Sequence, residues 1–142
     1  MTRQHRDTVD ATRSIIDCLG RSGVDASVIE QTIALYLQLQ QVCQLVMTMC
    51  RRAEEGDFEQ LNVLCADRDR VIQEVFRARD SLRPTIREGE SWQLVNSFFE
   101  PVIRAITVWD ERLLAILQEK KKSIVEKSKE AQLQRLVLKY SA

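Results

Sequence analysis

The stretch AEEGDFEQL, residues 53–61, decides the fold, because it contains the end of one helix and the start of the next. Gly56 suits the left-handed conformation that closes many helices, since glycine has no Cβ atom. Asp57 is a favourable N-cap residue, and Gln60 stands three positions later, where a capping box places Glu or Gln. So short a turn between two helices predicts an antiparallel helical hairpin.

A helix is predicted on the N-terminal side of this turn. Apolar residues recur every three or four positions across residues 29–50, the spacing of one helical face. Ser27 is followed three positions later by Glu30, the pattern of a capping box, so the helix is expected to begin at Ser27. Residues 1–25 contain two glycines and are expected to form a mobile extension or a loosely docked helix.

Two further elements are predicted on the C-terminal side of the turn. A second apolar stripe covers residues 58–82, and Pro84 is expected to stop that helix, so the hairpin spans residues 27–82. A linker at residues 83–91 then leads to the longest periodic stretch of the chain, a C-terminal helix over residues 92–140.

The predicted C-terminal helix has two unlike halves. Pro101 lies early in it, so a kink or a break is expected there. Residues 98–117 carry a dense apolar stripe that is expected to pack on the hairpin. The stripe thins between Lys120 and Gln134, and residues 119–139 hold seven basic residues against three acidic ones. This half is expected to project; its lysines fit a solvated face, an acidic protein partner or, least well, nucleic acid.

Composition supports an all-α fold, an antiparallel helical hairpin packed against a long C-terminal helix in one elongated bundle over residues 26–142. The 142 residues are 44% hydrophobic and 30% charged, with four glycines and two prolines. The formal net charge is zero, which gives no whole-molecule attraction to nucleic acid or to an anionic membrane. A polar N-terminus and the lack of a long apolar run favour a cytoplasmic protein without membrane insertion.

Few residues in this chain are suited to catalysis or metal binding. His5 is the single histidine, and no glycine-rich phosphate loop is present, so we expect no enzyme and no cofactor. Cys43 and Cys50 share one helical face, and Cys65 could approach them across the hairpin. Structural zinc usually takes four Cys or His ligands, so these cysteines are interpreted as small buried hydrophobes and no metal is expected.

Asp110 follows Trp109 in an otherwise apolar stretch. It is a surface residue, a contact for a partner, or the acceptor of a salt bridge from one of three hairpin arginines, Arg68, Arg70 and Arg77.

The C-terminal tail is apolar around most of its circumference. Leu136, Val137 and Leu138 are consecutive, and Tyr140 follows them. Successive helical residues point about 100° apart, so one packing partner cannot cover all four. The tail is therefore either held between two elements or available to a second protein.

Two parts of the chain resemble the flagellar export chaperones of the FliT type. The first is the stretch at residues 53–61 together with CADRDRVI at residues 65–72, which is similar to the helix–turn–helix of that family. The second is residues 103–140, which contain WDERLLAIL at residues 109–117, a lysine-rich helix and a terminal tyrosine.

The resemblance implies a chaperone that holds the C-terminal segment of an unfolded substrate, for this branch the filament cap protein. It prevents premature self-association and delivers the substrate to the cytoplasmic export gate, with the export ATPase complex as a further candidate partner and at most a weak homodimer. The implied substrate-binding residues are Phe98, Phe99, Val102, Ile106, Trp109, Leu113 and Leu117. The implied gate-docking residues are Leu136, Leu138 and Tyr140.

Two alternatives stay open. One is a FlgN-like chaperone for the hook–filament junction proteins, which shares the same general mechanism. The other is a structural or regulatory coiled-coil protein that dimerises through the apolar stripe of its C-terminal helix.

Overall fold

The computed structural model describes the backbone of residues 3–86 and 89–141, and the side chains of residues 6–86 and 91–139. The described residues form an all-α helical bundle without strands, which confirms the predicted hairpin and long C-terminal helix. The helices are α1 (Arg3–Arg21), α2 (Ala26–Glu55), α3 (Phe58–Leu82) and α4 (Gly89–Ser141), and a 3₁₀ turn at Arg83–Thr85 follows α3.

Helix α2 is the centre of the bundle, because α1, α3 and α4 all pack on it. Its buried side chains include Leu35, Val42 and Val46, and these belong to one core with Val75 of α3 and Phe99 of α4. A second, smaller core lies beside the α2–α3 turn and is formed by Met49, Cys50, Ala53, Leu61, Leu64 and Leu113. Leu113 is the last buried residue of α4. The packed part of the molecule therefore ends near the hairpin turn.

The turn between α2 and α3 has the predicted chemistry. Gly56 has φ 76° and ψ 15°, in the left-handed region. Its N–H donates to the carbonyl of Ala53 at 3.1 Å, and the N–H of Asp57 donates to the carbonyl of Arg52 at 2.9 Å. This pair of bonds is a Schellman motif. The carboxylate of Asp57 then accepts from the N–H of Gln60 at 3.1 Å and caps α3.

The capping box predicted at Ser27 and Glu30 is absent, and the observed N-cap lies two residues before Ser27. The helix begins at Ala26, and its N-cap is Asp25, which makes no side-chain capping bond. The reason is the short connection from α1. Gly23 has φ 72°, and the N–H of Val24 donates to the carbonyl of Leu19 at 3.1 Å, so α2 can begin almost at once. Ser27 lies inside the first turn, where its hydroxyl oxygen accepts from the amide of Gln31.

The N-terminal segment contains helix α1, antiparallel to α2. Ile15 and Leu19 have no exposed surface and belong to the main core, and Ala11 packs partly against it. Helix α1 also contacts α4. Residues 1–25 were expected to be mobile or loosely docked, and in the structure two adjacent turns of α1 are anchored by these side chains.

Helix α4 does not break at Pro101, contrary to one of the two outcomes expected there. The helix is continuous over 53 residues, about 80 Å at 1.5 Å per residue. Proline has no N–H to donate to Ser97, four positions earlier. Both residues lie on the exposed side of α4, where water can bind the freed carbonyl.

The C-terminal half of α4 projects beyond the hairpin, as its thin apolar stripe predicts. Every residue from 121 to 139 is exposed, and this range is called the projecting segment below. At 1.5 Å per residue it extends about 30 Å from the packed part.

Helix α2 is long and apolar enough to cross a membrane by length and composition, the one such helix among the described residues. The sequence-based argument against a membrane span did not single it out. Its buried side chains face α1, α3 and α4, which is the arrangement of a core helix in a bundle.

Candidate functional site

A narrow apolar groove runs between α3 and α4, with α2 as its floor. We call it the α3–α4 groove, and its volume is about 230 Å³. It is lined by Leu35, Leu39 and Val42 of α2, by Ile72, Val75, Phe76 and Arg79 of α3, and by Phe99, Ile103 and Ile106 of α4.

The groove exists because α3 and α4 both pack on α2 more closely than on each other. Their inner side chains, such as Val75 and Phe99, are buried against α2. The next residues around each helix, Phe76 and Ile103, therefore point over the gap and remain 56% and 41% exposed. Large exposed apolar side chains that face each other across a gap indicate a binding surface.

The seven residues implied as substrate-binding occupy different positions. Phe99 and Ile106 line the α3–α4 groove. Val102 and Leu113 are buried. Phe98 and Trp109 are half-buried against the main core, and Leu117 packs on the smaller core. The resemblance did not identify the groove residues that α2 and α3 provide. The available signal was the pairing of adjacent apolar residues, Val71 with Ile72 and Val75 with Phe76, which one helical stripe cannot bury together.

The upper end of the groove, toward the α2–α3 turn, is crossed by a salt bridge. The guanidinium of Arg68 on α3 donates to the carboxylate of Asp110 on α4 at 2.5 Å. This is one of the three pairings predicted for Asp110, and it joins two helices that otherwise contact each other little. The Nε of Arg68 is buried, without a hydrogen-bond partner in the described part of the chain. Asp110 is the nearer of two carboxylates beside this partly desolvated arginine, since Asp69 lies 3.8 Å from the same guanidinium.

We expect a measurable coupling free energy between Arg68 and Asp110. A double-mutant cycle with Arg68→Met and Asp110→Ala should give about 1–2 kcal/mol by urea unfolding, because the pair is charge-assisted and only 23% and 36% exposed. The control is the helical pair Arg70–Glu74 at 3.4 Å, which is 63% and 44% exposed. That cycle should give about 0.3–0.5 kcal/mol. Equal couplings in the two cycles would mean that the bridge is only a solvated ion pair.

The lower end of the groove is closed by cation–π contacts. The guanidinium groups of Arg79 and Arg83 lie 5.8 and 5.0 Å from the ring centre of Trp92 on α4. Arg79 is the one charged residue among the described residues that line the groove.

Two of the three residues implied as gate-docking, Leu136 and Leu138, lie on the projecting segment. Leu136 is 50% exposed and Leu138 is 73% exposed, so neither is covered by the bundle. The side chain of Tyr140 lies outside the described residues. Ile124, Val125, Leu133 and Val137 are also exposed on this segment. Its apolar side chains are therefore spread around the helix and lie between lysines.

The cysteines do not form a metal site, since no metal-ligating group of three or more residues occurs in the described part of the chain. Cys50 is buried, and its thiol donates weakly to the carbonyl of Trp109 at 3.5 Å. Burial raises the pKa of the Cys43, Cys50 and Cys65 thiols. Arg112 lowers the pKa of Cys50 against this effect, and Glu54 and Asp110 raise it; Asp69 raises the pKa of Cys65, and Arg68 lowers it.

These raised pKa values predict lower stability in alkali. An unfolded thiol ionises at its ordinary pKa of 9.0, below the pKa of the folded state. The free energy of unfolding that these protonated thiols contribute is therefore fully present below pH 9. It is lost as the pH rises through the raised pKa values of the folded state. Urea unfolding from pH 7.5 to 10.5 under reducing conditions should show the wild type losing its advantage over a variant with Cys43, Cys50 and Cys65 changed to Ala. A difference that is constant with pH would contradict this prediction.

A second cleft, of about 550 Å³, lies at the opposite end of the bundle. It is lined by Ser22, Gly23, Val24, Asp25 and Val28 together with Thr85, Ile86 and Ser91. It is open and mostly polar. The α3–α4 groove is therefore the better candidate site.

The described helices define the class of the protein as an all-α helical bundle. No family model, curated protein or solved structure matches the chain.

Proposed function

We propose that this chain is a flagellar type III export chaperone of the FliT type that acts in the cytoplasm by binding other proteins, not by catalysis. Its α3–α4 groove holds a C-terminal segment of an unfolded substrate, with the filament cap protein as the first candidate. Its projecting segment then docks on the export gate.

The observation that carries the proposal is the presence of two separate apolar surfaces that the chain does not cover itself. One is the α3–α4 groove, with Phe76 and Ile103 on its opposite walls. The other is the projecting segment, with Leu136 and Leu138 exposed. A carrier needs one surface for the molecule it carries and another for the site of delivery. An amphipathic helix is the natural ligand of a groove between two helices.

The groove suits a temporary complex. An incoming helix would lie over α2 between α3 and α4 and complete a four-helix arrangement. Burying apolar surface is worth about 25 cal/mol per Å², so a segment that covers a few hundred Å² can bind without making release slow. Covering the segment also keeps it from associating with other copies of the substrate.

Co-expression tests the proposal directly. The C-terminal segment of the filament cap protein is expressed with the chain and with a tag on one partner. We expect a soluble complex, which the same segment with its apolar residues changed to serine should not form. The hook–filament junction proteins serve as the parallel bait for the FlgN-like alternative. If neither bait is retained, the export-chaperone proposal is wrong.

A structural coiled-coil protein is the second candidate, favoured by the exposed continuation of the α4 stripe through Ile124, Ala131 and Leu138. Ser128 and Arg135 interrupt that stripe, and the surplus of lysines would repel a second copy. Sedimentation equilibrium distinguishes the two candidates, since a structural coiled coil would be an obligate oligomer. The chaperone would be a monomer or a weak dimer.

Docking at the gate is tested separately from substrate binding. Replacing Tyr140, or Leu136 and Leu138 together, with alanine should leave binding of the substrate segment within about twofold, because these residues lie far from the groove. Export of the substrate in cells should fall strongly. Equal loss of binding and export would mean that Tyr140 contributes to folding.

A further inference from the structure

The α3–α4 groove is open only over a short length. The Arg68–Asp110 salt bridge joins α3 and α4 one helical turn beyond Ile72 and Ile106, and Arg79, which like Arg83 is in cation–π contact with Trp92, marks the other end of the lining. Between these contacts, the lining residues run from 72 to 79 on α3 and from 99 to 106 on α4. The seven steps between the first and last of these eight residues measure about 10 Å, or two turns. The open part is therefore much shorter than the helices that form it.

The size of the groove limits what can enter it. A cavity of about 150 Å³ holds a benzene molecule, so the 230 Å³ of the groove hold two aliphatic side chains, or an aromatic one and a smaller one. Side chains at positions i and i+4 of a helix point the same way and lie about 5–6 Å apart. Two such side chains fit an opening of about 10 Å.

Charge adds a third restriction. Arg79 stands at the lower end of an otherwise apolar lining. No described carboxylate forms a salt bridge with Arg79, whereas Glu100 on the α4 side is paired with Arg104 at 3.7 Å. The guanidinium of Arg79 lies 5.8 Å from the ring centre of Trp92, and no described residue accepts a hydrogen bond from it. Arg79 is therefore placed to donate to a carboxylate at the edge of the groove.

We propose that the α3–α4 groove selects a two-turn amphipathic helical segment with two large apolar side chains at i and i+4 and a carboxylate one turn away, facing Arg79. This inference rests on the proposed function, because it specifies the chemistry of the segment held at the same site. In this proposal, Arg79 distinguishes segments that carry the carboxylate from those that lack it. Arg79 lies on the opposite wall from the α4 residues implied by the family resemblance.

Designed peptides test the proposal. Three fluorescein-labelled 14-residue helical peptides carry Leu at i and i+4 and differ at one position, which is Asp, Asn or Lys one turn from the leucines. Anisotropy with the full chain should show the Asp peptide binding about tenfold more tightly than the Asn peptide, and the Lys peptide binding least. Raising the salt concentration should reduce the difference.

Variants then locate the source of the discrimination. Arg79→Gln should remove the preference for Asp while keeping the affinity for the Asn peptide. Arg79→Glu should reverse the preference toward Lys. Arg77→Gln is the matched control, because Arg77 is an exposed arginine on the same helix, about 160° around from Arg79. It should leave the order of affinities unchanged. Circular dichroism and the urea midpoint verify that each variant is folded.

Several outcomes would overturn the inference. These are equal affinities for the Asp and Lys peptides on the wild type, a preference that survives Arg79→Gln, or no binding by any peptide up to about 1 mM. A chain that is dimeric at assay concentration and becomes monomeric with Phe76→Glu would also overturn it, since a second copy would then fill the groove.

Failure of the inference and failure of the proposed function give different results. The peptides contain no flagellar sequence, so the expected order of affinities without capture of a flagellar bait would retain the inference and remove the flagellar role. Capture of the cap segment with an affinity unchanged by Arg79→Gln, and without discrimination among the peptides, would retain the role and remove the inference.

Discussion

Replacing Phe76 with glutamate is expected to weaken binding of an apolar helical segment by about 100-fold or more. The side chain lies on the wall of the α3–α4 groove and is 56% exposed without a ligand, so the folded chain tolerates a charge there. A bound segment would lose its contact with the ring and desolvate the new carboxylate against apolar side chains, a cost that Arg79, one turn away on α3, offsets only in part; a net loss of about 2.8 kcal/mol corresponds to 100-fold in affinity. Ile103→Glu introduces the same charge on the opposite wall and should have a similar effect. Calorimetry with the captured substrate segment measures both losses.

The chain supplies a matched control for each variant. Val63 on α3 and Val108 on α4 are 53% and 62% exposed, close to the values of the groove residues. From the helical period, each points about 140° away from its groove counterpart. Val63→Glu and Val108→Glu should therefore leave the affinity within about twofold. If the control variants weaken binding as much as Phe76→Glu does, the segment does not bind in the groove.

Phe99→Ala is expected to lower the free energy of unfolding by about 3–5 kcal/mol, the largest effect of a single substitution in this chain. Phe99 is the largest of the fully buried side chains and 1% exposed, and it belongs to the core that α1, α2, α3 and α4 share. Removing the ring leaves a cavity where the α4 wall of the groove meets the core, and the transfer free energy of the ring carbons is lost as well.

Urea unfolding followed by circular dichroism measures this loss. The urea concentration at the midpoint should fall. The slope of the unfolding free energy against urea concentration should stay the same, since the surface exposed on unfolding changes little. Phe58→Ala is the control, because Phe58 begins α3 and is 40% exposed. It should cost less than about 1 kcal/mol. A loss of under about 1 kcal/mol for Phe99→Ala would mean that α4 is not packed on α2 as described.

The parts of the fold that the sequence predicted correctly depend on local chemistry. Gly56 and Asp57 fix the turn through backbone conformation and capping, which involve residues only a few positions apart. The pairing of Asp110 with a hairpin arginine was also among the predictions, because a carboxylate in an apolar stretch needs a partner. Which of the three arginines pairs with Asp110 depends on the position of α4 along the axis of α3. A local sequence pattern does not determine that position.

The same limit explains the wrong capping box at Ser27 and the choice that the sequence left open at Pro101. Ser27 and Glu30 form a sound capping box as a sequence pattern, but Gly23 closes α1 just before it, and α2 begins one residue earlier. Pro101 was a candidate break, yet its missing hydrogen bond falls on the exposed side of α4. Ser27 can be an N-cap or a first-turn residue, and Pro101 can break a helix or lie within it. In both cases the neighbouring structure, and not the residue alone, determined which conformation formed.

The candidate site was the least predictable part. A helical stripe shows which side chains face inward, but the α3–α4 groove depends on three helices meeting at unequal distances. Ile72 and Phe76 could be recognised only as apolar residues beside buried neighbours. No sequence pattern identified Arg79 as a binding residue, since basic residues are common in the last turn of a helix.

The unbroken length of α4 has a consequence for delivery. Ile106 in the groove and Leu136 near the tip are joined by 30 residues of one helix, a span of about 45 Å. The segments bound at the two positions would occupy separate parts of the helix and could be held at the same time. Under the proposed function, the helix would keep the substrate within reach of whatever binds the tip, so that transfer would be a local step and not a diffusional search.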